Sequence, residues 1–226
     1  SQPNVCETDQ QRTTAVNVEA TAAIARWCAQ RRCPLVVTST DVVFDGAAAP
    51  YVETDSTNPL NAYARQKVAA EMAVLSHHPR AVICRMPLMF GYGGPDGKGF
   101  SHEMVTAIAH ERPVHLFTDE FRTPLSTACA AEALLAALDW PGGIYHLGGP
   151  ERISRLGLGR RIAAHLGVGT AHLQPLTQDA MAMAAPRPAD VSLENRKARK
   201  AGFSPAGLDE AVGRMVIAFG LLPKNE

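Results

Sequence analysis

A short run of apolar and β-branched residues at positions 34–40, Pro-Leu-Val-Val-Thr-Ser-Thr, constrains the fold of this chain more than any other stretch. Such a run is typical of a strand that is buried on both faces of a parallel sheet. Residues 80–85 and 144–147 form two further strand-like runs, and helical patterns separate the three. Strand and helix therefore alternate along the chain, which predicts an α/β fold with parallel strands.

The segments between these runs carry apolar residues at helical spacing. Over residues 10–31, Val16, Ala20, Ile24 and Trp27 recur in this way and predict an amphipathic helix. The same reasoning predicts further helices over residues 63–75, 101–110, 127–138, 156–166 and 208–219.

Two stretches are predicted to be loops. Residues 45–61 contain a glycine and two prolines. Residues 91–99 are crowded with glycine and predict a flexible substrate loop. We do not interpret this second stretch as a phosphate-binding turn, because its glycine spacing is wrong and no strand–turn–helix frame fits it.

Composition excludes several classes of function. The 22 Lys and Arg residues balance the 22 Asp and Glu residues, so no long-range field favours nucleic acid or an anionic membrane. No apolar run reaches the length of a membrane span, and the polar start is not a signal peptide, which makes the cytoplasm the default expectation. The five scattered cysteines fit a reducing compartment. The eight histidines show no metal-binding spacing, so we expect no metal.

Tyr63 and Lys67 are the strongest candidates for chemistry. They lie four residues apart on a predicted helix and therefore share a face. A phenol is a poor acid at neutral pH until a nearby cation favours its phenolate, and Lys67 is placed to supply that cation. The alternative interpretation is a half-buried tyrosine beside a solvated lysine.

Ser39, Thr40 and Asp41 come at the carboxyl end of the first predicted strand, where open parallel sheets form their ligand crevices. Consecutive strand side chains point to opposite faces, so only one of the two hydroxyls can meet a substrate beside Tyr63. We expect that residue to be Thr40. Asp41 either orients a substrate or caps the turn that it begins.

Several segments of the chain match a known family in both residues and order. The segments are Val-Val-Thr-Ser-Thr-Asp-Val-Val-Phe-Asp-Gly (36–46), Asn-Pro-Leu-Asn-Ala-Tyr-Ala-Arg-Gln-Lys (58–67) with Glu71, Arg-Met-Pro (85–87), Asp-Glu-Phe-Arg-Thr-Pro (119–124), Gly-Ile-Tyr-His-Leu (143–147) and Arg-Pro-Ala-Asp-Val-Ser-Leu (187–193). Together they resemble the extended short-chain dehydrogenase/reductases. The most similar branch is the dTDP-4-dehydrorhamnose reductase-like, sugar-nucleotide-binding one.

The resemblance implies a partial Rossmann-like, doubly wound parallel sheet with a smaller C-terminal substrate-binding α/β region. Residues 1–87, joined by a returning strand and helix within 125–148, would form the dinucleotide-binding part. Residues 88–124 and 149–226 would form the substrate-binding region. Members of the family open with a strand and a Gly-x-x-Gly-x-x-Gly turn that this sequence does not show at its start. We therefore expect a partial chain or a shortened relative that is inactive alone.

The activity implied is hydride transfer from NADPH or NADH to the C4 ketone of a nucleotide-linked deoxy sugar. Tyr63 would donate the proton, Lys67 would lower the pKa of Tyr63 and bind the cofactor ribose, and Thr40 would hold the carbonyl oxygen. Ser39, Arg85 and Pro87, together with Tyr63 and Lys67, are the implied cofactor contacts. The sequence does not decide between NADP and NAD.

The implied substrate contacts are Asp41, Asn17, Arg122 and Arg187. Asn17 matches the family asparagine that supports the proton relay, and its alternative is an ordinary exposed helical residue. Arg122 would grip a sugar hydroxyl or a phosphate, and its alternative is a solvated arginine. Arg187 would contact the nucleotide diphosphate. The resemblance is compatible with a homodimer.

The chain departs from the reductase branch at Val42, where tyrosine is usual, and near Leu88 and Met89, where tryptophan is usual. Both departures remove aromatic surface from the sugar site, so the particular sugar nucleotide stays open. Two alternatives remain: a sugar-nucleotide epimerase or dehydratase that returns the hydride to the same sugar, and a non-catalytic regulatory relative.

Overall fold

The structure is a computed structural model that describes residues 3–94, 97, 99–181 and 185–221. Its α-helices are α1 (Pro3–Thr8), α2 (Gln10–Thr14), α3 (Ala20–Arg31), α4 (Ala62–His77), α5 (Phe100–Ala109), α6 (Thr127–Ala136), α7 (Arg155–Leu166), α8 (Arg196–Lys200) and α9 (Leu208–Ala218). Its strands are β1 (Val36–Thr40), β2 (Val82–Met86), β3 (Met89–Phe90), β4 (Val114–Phe117), β5 (Phe121–Arg122), β6 (Leu125–Ser126), β7 (Gly143–His146), β8 (Ile153–Ser154) and β9 (Leu173–Leu176). A π-helical turn, Ala15–Glu19, joins α2 to α3.

The chain divides into two compact units. The first unit comprises Ser1–Pro87, Glu132–Gly148 and Met183–Phe203, and the second comprises Leu88–Ala131, Gly149–Ala182 and Ser204–Glu226. Residues 185–203 therefore pack in the first unit and not with the rest of residues 149–226. Backbone pairing explains their place, because Tyr51 N–H donates to Ser192 O at 2.9 Å and Glu194 N–H donates to Tyr51 O at 2.8 Å. The assignment of residues 149–226 to substrate binding stays a prediction.

A parallel sheet in the order β1-β2-β7 forms the centre of the first unit. Thr40 lies opposite Met86, and Arg85 lies opposite His146. The predicted α/β fold with parallel strands is confirmed. Because all three strands run in one direction, their carboxyl ends meet at one edge, and Thr40 lies at that edge.

β1 differs from its prediction as a strand buried on both faces. Ser39 and Thr40 are buried, but Thr38 is exposed and Val36 and Val37 are only partly covered. The physical reason is position, since β1 is an edge strand of the three-stranded sheet.

The helical segment before β1 also differs from its prediction. The structure breaks the predicted continuous helix into α2, the π-helical turn and α3. The apolar residues that predicted its buried face lie outward, with Val16 60%, Ile24 55% and Trp27 51% exposed. The residues that α3 buries are the smaller Ala25 and Cys28.

α4 carries the candidate chemistry and is held firmly at its start. Asn61 caps it, because its side-chain oxygen accepts from Ala64 N–H at 2.9 Å. Farther along, Val74 of α4 packs with Ala25, Ala81 and Ile83 in one buried cluster. The cap therefore holds the first turn of α4, and this packing holds its last turn.

The second unit has its own core, which α5, α7 and α9 build around Ile108, Ile162 and Val212. β4 pairs with β9 in parallel, β3 pairs with β6 in parallel, and β5 pairs with β8 in antiparallel orientation.

The glycine-rich stretch 91–99 belongs to this second unit. β3 precedes this stretch and α5 follows it. The stretch therefore does lie between a strand and a helix, which the sequence did not predict. Residues 95, 96 and 98 lie outside the described residues, and so do residues 182–184.

Within the described ranges, no helix combines the length and apolar character that a bilayer span requires. The same part of the chain holds no group of three or more His, Cys, Asp or Glu side chains arranged for a metal ion.

Candidate active site

The carboxyl end of β1 turns directly into a short 3₁₀ helix, Asp41–Val43. Thr40 caps this helix, and its Oγ1 accepts from Val42 N–H at 3.4 Å. The same hydroxyl donates to Asp41 Oδ1 at 3.2 Å. Both residues are buried, so a hydroxyl and a carboxylate lie side by side at the sheet edge.

Tyr63 lies half-buried on the first turn of α4. Burial raises the pKa of Tyr63, the negative charge of Asp41 raises it further, and a hydrogen bond with Thr40 opposes the shift. The structure therefore brings Thr40, Asp41 and Tyr63 together. The phenol keeps its proton at neutral pH.

Lys67 follows one turn later and is also half-buried. Its Nζ donates to Thr38 O at 2.5 Å. Burial lowers the pKa of Lys67, and the charge of Glu71 opposes that shift. Burial and Asp41 outweigh every opposing influence on the pKa of Tyr63, and Lys67 is not among the groups that shift it. The lowering of the Tyr63 pKa by Lys67 stays a prediction. Of the alternative, the half-buried tyrosine is present, but its neighbouring lysine is itself half-buried.

Ser39 and Pro87 lie at the carboxyl ends of β1 and β2, and both are buried. Ser39 Oγ has no hydrogen-bond partner among the described residues. A buried hydroxyl without a partner is unfavourable in a resting protein. This position can therefore take a ligand that carries hydrogen-bonding groups.

Asn17 lies in the π-helical turn, a kind of helix distortion that often marks functional sites. Its Nδ2 donates to Gln66 Oε1 at 2.7 Å and lies 3.7 Å from Cys6 Sγ. The alternative of an ordinary exposed residue is wrong, because Asn17 is partly buried and bonded to α4. The role of Asn17 in a proton relay stays a prediction.

Sequence reasoning missed two neighbours of this site, Gln66 and Cys6. Gln66 is buried and lies inside the Tyr-Ala-Arg-Gln-Lys motif, which was the available signal. Cys6 is fully buried and is among the groups that raise the pKa of Tyr63. No spacing in the sequence connects Cys6 to Tyr63, so only the fold reveals it.

Arg85 has partners inside the protein rather than an open surface. Its guanidinium binds both carboxylate oxygens of Glu71, at 3.1 and 2.8 Å, and contacts His146 Nε2 at 3.3 Å. Arg85 and Glu71 are both nearly inaccessible to solvent. Three of its five N–H donors are therefore used within the fold, an arrangement that does not support a contact with the cofactor. That contact stays a prediction.

Arg122 belongs to the second unit, where it is buried beside an internal carboxylate. Its Nη2 lies 3.2 Å from Glu120 Oε1, which also accepts from Arg155 at 2.9 Å. The alternative of a solvated arginine is wrong. The proposed contact of Arg122 with a sugar or phosphate is not supported by this pairing.

Arg187 is exposed in the first unit. Its neighbour Pro186 is tied to the start of α4, because Asn61 Nδ2 donates to Pro186 O at 2.9 Å. Arg187 is therefore close in the chain to the residue that caps the helix carrying Tyr63. Its contact with a nucleotide diphosphate stays a prediction.

The arrangement as a whole offers one weakly acidic phenol, one adjacent hydroxyl and one adjacent carboxylate at the edge of a parallel sheet. Such a set can hold a carbonyl oxygen and give it a proton. The parallel sheet and its edge site define a Rossmann-like α/β protein.

Comparison with known proteins identifies the family within that class. The model of the family described as "RmlD substrate binding domain" matches residues 1–220. The chain belongs to this family.

Among curated relatives, dTDP-4-dehydrorhamnose reductase of Mycobacterium tuberculosis is 34% identical over 198 residues, which cover 84% of this chain and 64% of that protein. Methionine adenosyltransferase 2 subunit beta of Xenopus laevis is 28% identical over 212 residues, covering 89% of this chain and 62% of that protein. The chain thus spans a little under two thirds of each relative's length.

Among solved structures, dTDP-4-dehydrorhamnose reductase from Bacillus anthracis in complex with NADP superposes with a TM-score of 0.84. The match covers 96% of this chain and 77% of that one, at 21% identity. It establishes that the two chains share the Rossmann-like fold.

Proposed function

We propose that the protein carrying this chain is an NAD(P)H-dependent reductase that acts on the keto group of a nucleotide-linked deoxy sugar, with Tyr63 as the proton donor. The observation that carries the proposal is the Tyr63 phenol beside Thr40 and Asp41 at the carboxyl end of β1. The mycobacterial relative, named dTDP-4-dehydrorhamnose reductase, supports it.

A nicotinamide cofactor, NADPH or NADH, would supply the hydride when bound. NADP in the Bacillus anthracis relative supports NADPH as the first candidate. The hydroxyl of Ser39, buried without a partner among the described residues, fits a cofactor with amide and hydroxyl groups. Pro87, at the end of β2, would lie against the same nicotinamide cofactor.

The chain's own residues would then manage the proton. Tyr63 would donate a hydrogen bond to the substrate carbonyl oxygen, and Thr40 would do the same once its hydroxyl proton turns from Asp41 Oδ1 to that oxygen. The carbonyl oxygen becomes negative as the hydride arrives. Because burial and Asp41 raise its pKa, Tyr63 holds its proton until that charge develops. Lys67, one turn along α4 with its Nζ bonded to Thr38 O, is the candidate cation for the phenolate that remains.

The test is the Tyr63→Phe variant of the complete gene product, followed by nicotinamide absorbance with keto-sugar nucleotides as substrates. We expect turnover to fall by about 10²- to 10⁴-fold, because the proton donor is lost. Tyr145→Phe is the matched control, since the Tyr145 hydroxyl donates to Pro141 O at 2.8 Å and lies outside the site. Unchanged turnover in Tyr63→Phe would contradict the proposal.

A second candidate is a non-catalytic regulatory protein. The similarity to methionine adenosyltransferase 2 subunit beta, which covers 89% of this chain, favours it. The same assay separates the candidates: wild-type protein without turnover on any keto-sugar nucleotide, together with tight binding to a partner enzyme, would favour the regulatory role. Retained cofactor without net oxidation would instead indicate an epimerase or dehydratase.

A further inference from the structure

Gln66 is a buried side chain that the proposed chemistry does not use, yet it connects the helix that carries Tyr63 and Lys67 to the segment that carries Asn17. It belongs to α4, one residue before Lys67 and three after Tyr63. Its amide reaches across to the segment that carries Asn17, where it contacts Asn17, Thr13 and Thr14. All of these residues lie in the first unit.

The direction of these hydrogen bonds follows from donor and acceptor chemistry. A threonine hydroxyl has one proton, and Thr13 Oγ1 donates it to Asp9 O at 2.7 Å, because a backbone carbonyl can only accept. Thr13 Oγ1 must then accept from Gln66. The Gln66 atom 2.9 Å away is therefore its nitrogen, Nε2, which also donates to Thr14 Oγ1 at 3.2 Å.

This orientation leaves Gln66 Oε1 facing Asn17. An oxygen there accepts, so the Asn17 atom 2.7 Å away must be the donor Nδ2. The second Nδ2 proton points to Cys6 Sγ at 3.7 Å. Both donors of Asn17 are thus assigned, and the rotation of its carboxamide about the last side-chain bond is fixed.

We propose that Gln66 is a positioning residue: a one-directional chain of hydrogen bonds, from Asn17 through Gln66 to Thr13 and Asp9 O, sets the orientation of the Asn17 carboxamide at the active site. The inference rests on the proposed reductase function for its catalytic consequence. Its structural content stands on the three hydrogen bonds of this chain and on the contacts of Gln66 with Thr14 and of Asn17 with Cys6.

Two variants separate positioning from simple packing. Gln66→Met keeps the length of the side chain and removes every hydrogen bond. Gln66→Glu keeps the shape, but an ionised carboxylate only accepts and so faces Thr13 without a proton to give. A protonated glutamic acid offers one donor and one acceptor, which restores the chain from Asn17 to Thr13.

Gln66→Met should lower kcat about five- to tenfold at every pH with little change in KM, the effect of losing one orienting hydrogen bond. Gln66→Glu should show the same loss at high pH and regain activity as the pH falls and the buried carboxyl protonates. Gln30→Glu, an exposed change on α3, is the control and should follow wild type. Wild-type kcat and pH profile in both Gln66 variants would overturn the inference.

A measurement without turnover distinguishes failure of this inference from failure of the proposed function. In ¹⁵N NMR spectra, the Asn17 side-chain amide, assigned from its loss in Asn17→Asp, should exchange slowly in wild type and much faster in Gln66→Met. If wild type reduces no keto sugar but this difference is found, the reductase proposal fails and the positioning of Asn17 stands. Equal exchange rates in both proteins would overturn the positioning.

Discussion

At the scale of single residues, Tyr63 shows how the fold changes the meaning of a motif. A phenol and a lysine four residues apart predict a tyrosine with a lowered pKa. In the structure, Lys67 donates to Thr38 O, and the neighbour that most affects the charge of Tyr63 is Asp41. The raised pKa of Tyr63 suits a reductase, because a proton donor must be protonated before the reaction starts.

Asp41→Asn tests this electrostatic arrangement. A carboxylate beside a phenol disfavours the phenolate and raises its pKa, so removing the charge should lower the pKa of Tyr63. We expect tyrosinate to form at lower pH in an ultraviolet absorbance titration, with Tyr63→Phe used to subtract the other tyrosines. Activity should likewise begin its alkaline decline at lower pH. Asp139→Asn, an exposed change, should leave the titration unaltered, and an unaltered titration in Asp41→Asn would contradict the argument.

At the scale of elements, the sequence predicted β1, α4 and the meeting of Thr40 with Tyr63, because apolar runs and helical spacing are local signals. It did not predict the place of Arg85, whose partners Glu71 and His146 come from α4 and β7. Which strand lies beside β2, and in which register, is decided by packing between distant segments. The pattern of residues within one segment does not predict that packing.

The outward apolar side of α3 has a related cause. Ile24 and Trp27 of α3, with Val16 in the π-helical turn before it, give the strongest periodic signal. The residues that α3 buries are instead the smaller Ala25 and Cys28, and Ala25 packs against Val74 of α4. Small residues allow two helices to approach closely and give little signal in hydrophobic periodicity. The helix itself was therefore predictable, whereas its buried face was not.

β7 provides a prediction of pH dependence at the same scale. His146 is fully buried; its Nδ1 lies 3.1 Å from Tyr51 O, and its Nε2 lies 3.3 Å from Arg85. A carbonyl oxygen only accepts and a guanidinium only donates, so the ring is neutral with its proton on Nδ1. Burial, reinforced by the charge of Arg85, lowers the pKa of His146 from 6.5 to about 3.

As the pH falls below 6.5, the unfolded chain therefore binds a proton at His146 that the folded chain does not bind until about pH 3. The free energy of unfolding should keep the full contribution of His146 above pH 6.5 and decrease below it, by an amount for this residue that approaches about 1.4 kcal/mol per pH unit. Urea unfolding between pH 7 and 4 measures how steeply the free energy of unfolding depends on pH. His146→Gln, which keeps one donor and one acceptor, should flatten it, whereas His77→Gln, an exposed change, should not. Equal slopes in all three proteins would show that His146 is not the cause.

At the scale of the whole molecule, the proton-transfer groups are all in the first unit, while hydride transfer needs a bound dinucleotide. In Rossmann-like proteins the pyrophosphate lies on a glycine turn that joins a sheet strand to a helix. In the first unit, β1 runs into Asp41 and β2 runs into Pro87. The glycine-rich stretch 91–99 follows β3, a two-residue strand whose partner among the described strands is β6.

Because neither β1 nor β2 runs into a glycine turn, we expect residues 1–226 to bind NADPH weakly and to show no turnover. A longer protein that adds such a turn to the same sheet should show both binding and turnover. Fluorescence titration with NADPH and the absorbance assay measure the two properties side by side, and circular dichroism confirms that both proteins are folded. Turnover by residues 1–226 would contradict the prediction and direct attention to the glycine-rich stretch. Gly94→Ala would then be the next variant, because Gly94 has a φ of 87° that an alanine adopts only with strain. A loss of NADPH binding in that variant would locate the cofactor there, whereas Gly169→Ala, at a glycine whose added Cβ meets no described atom within 4 Å, should bind as before.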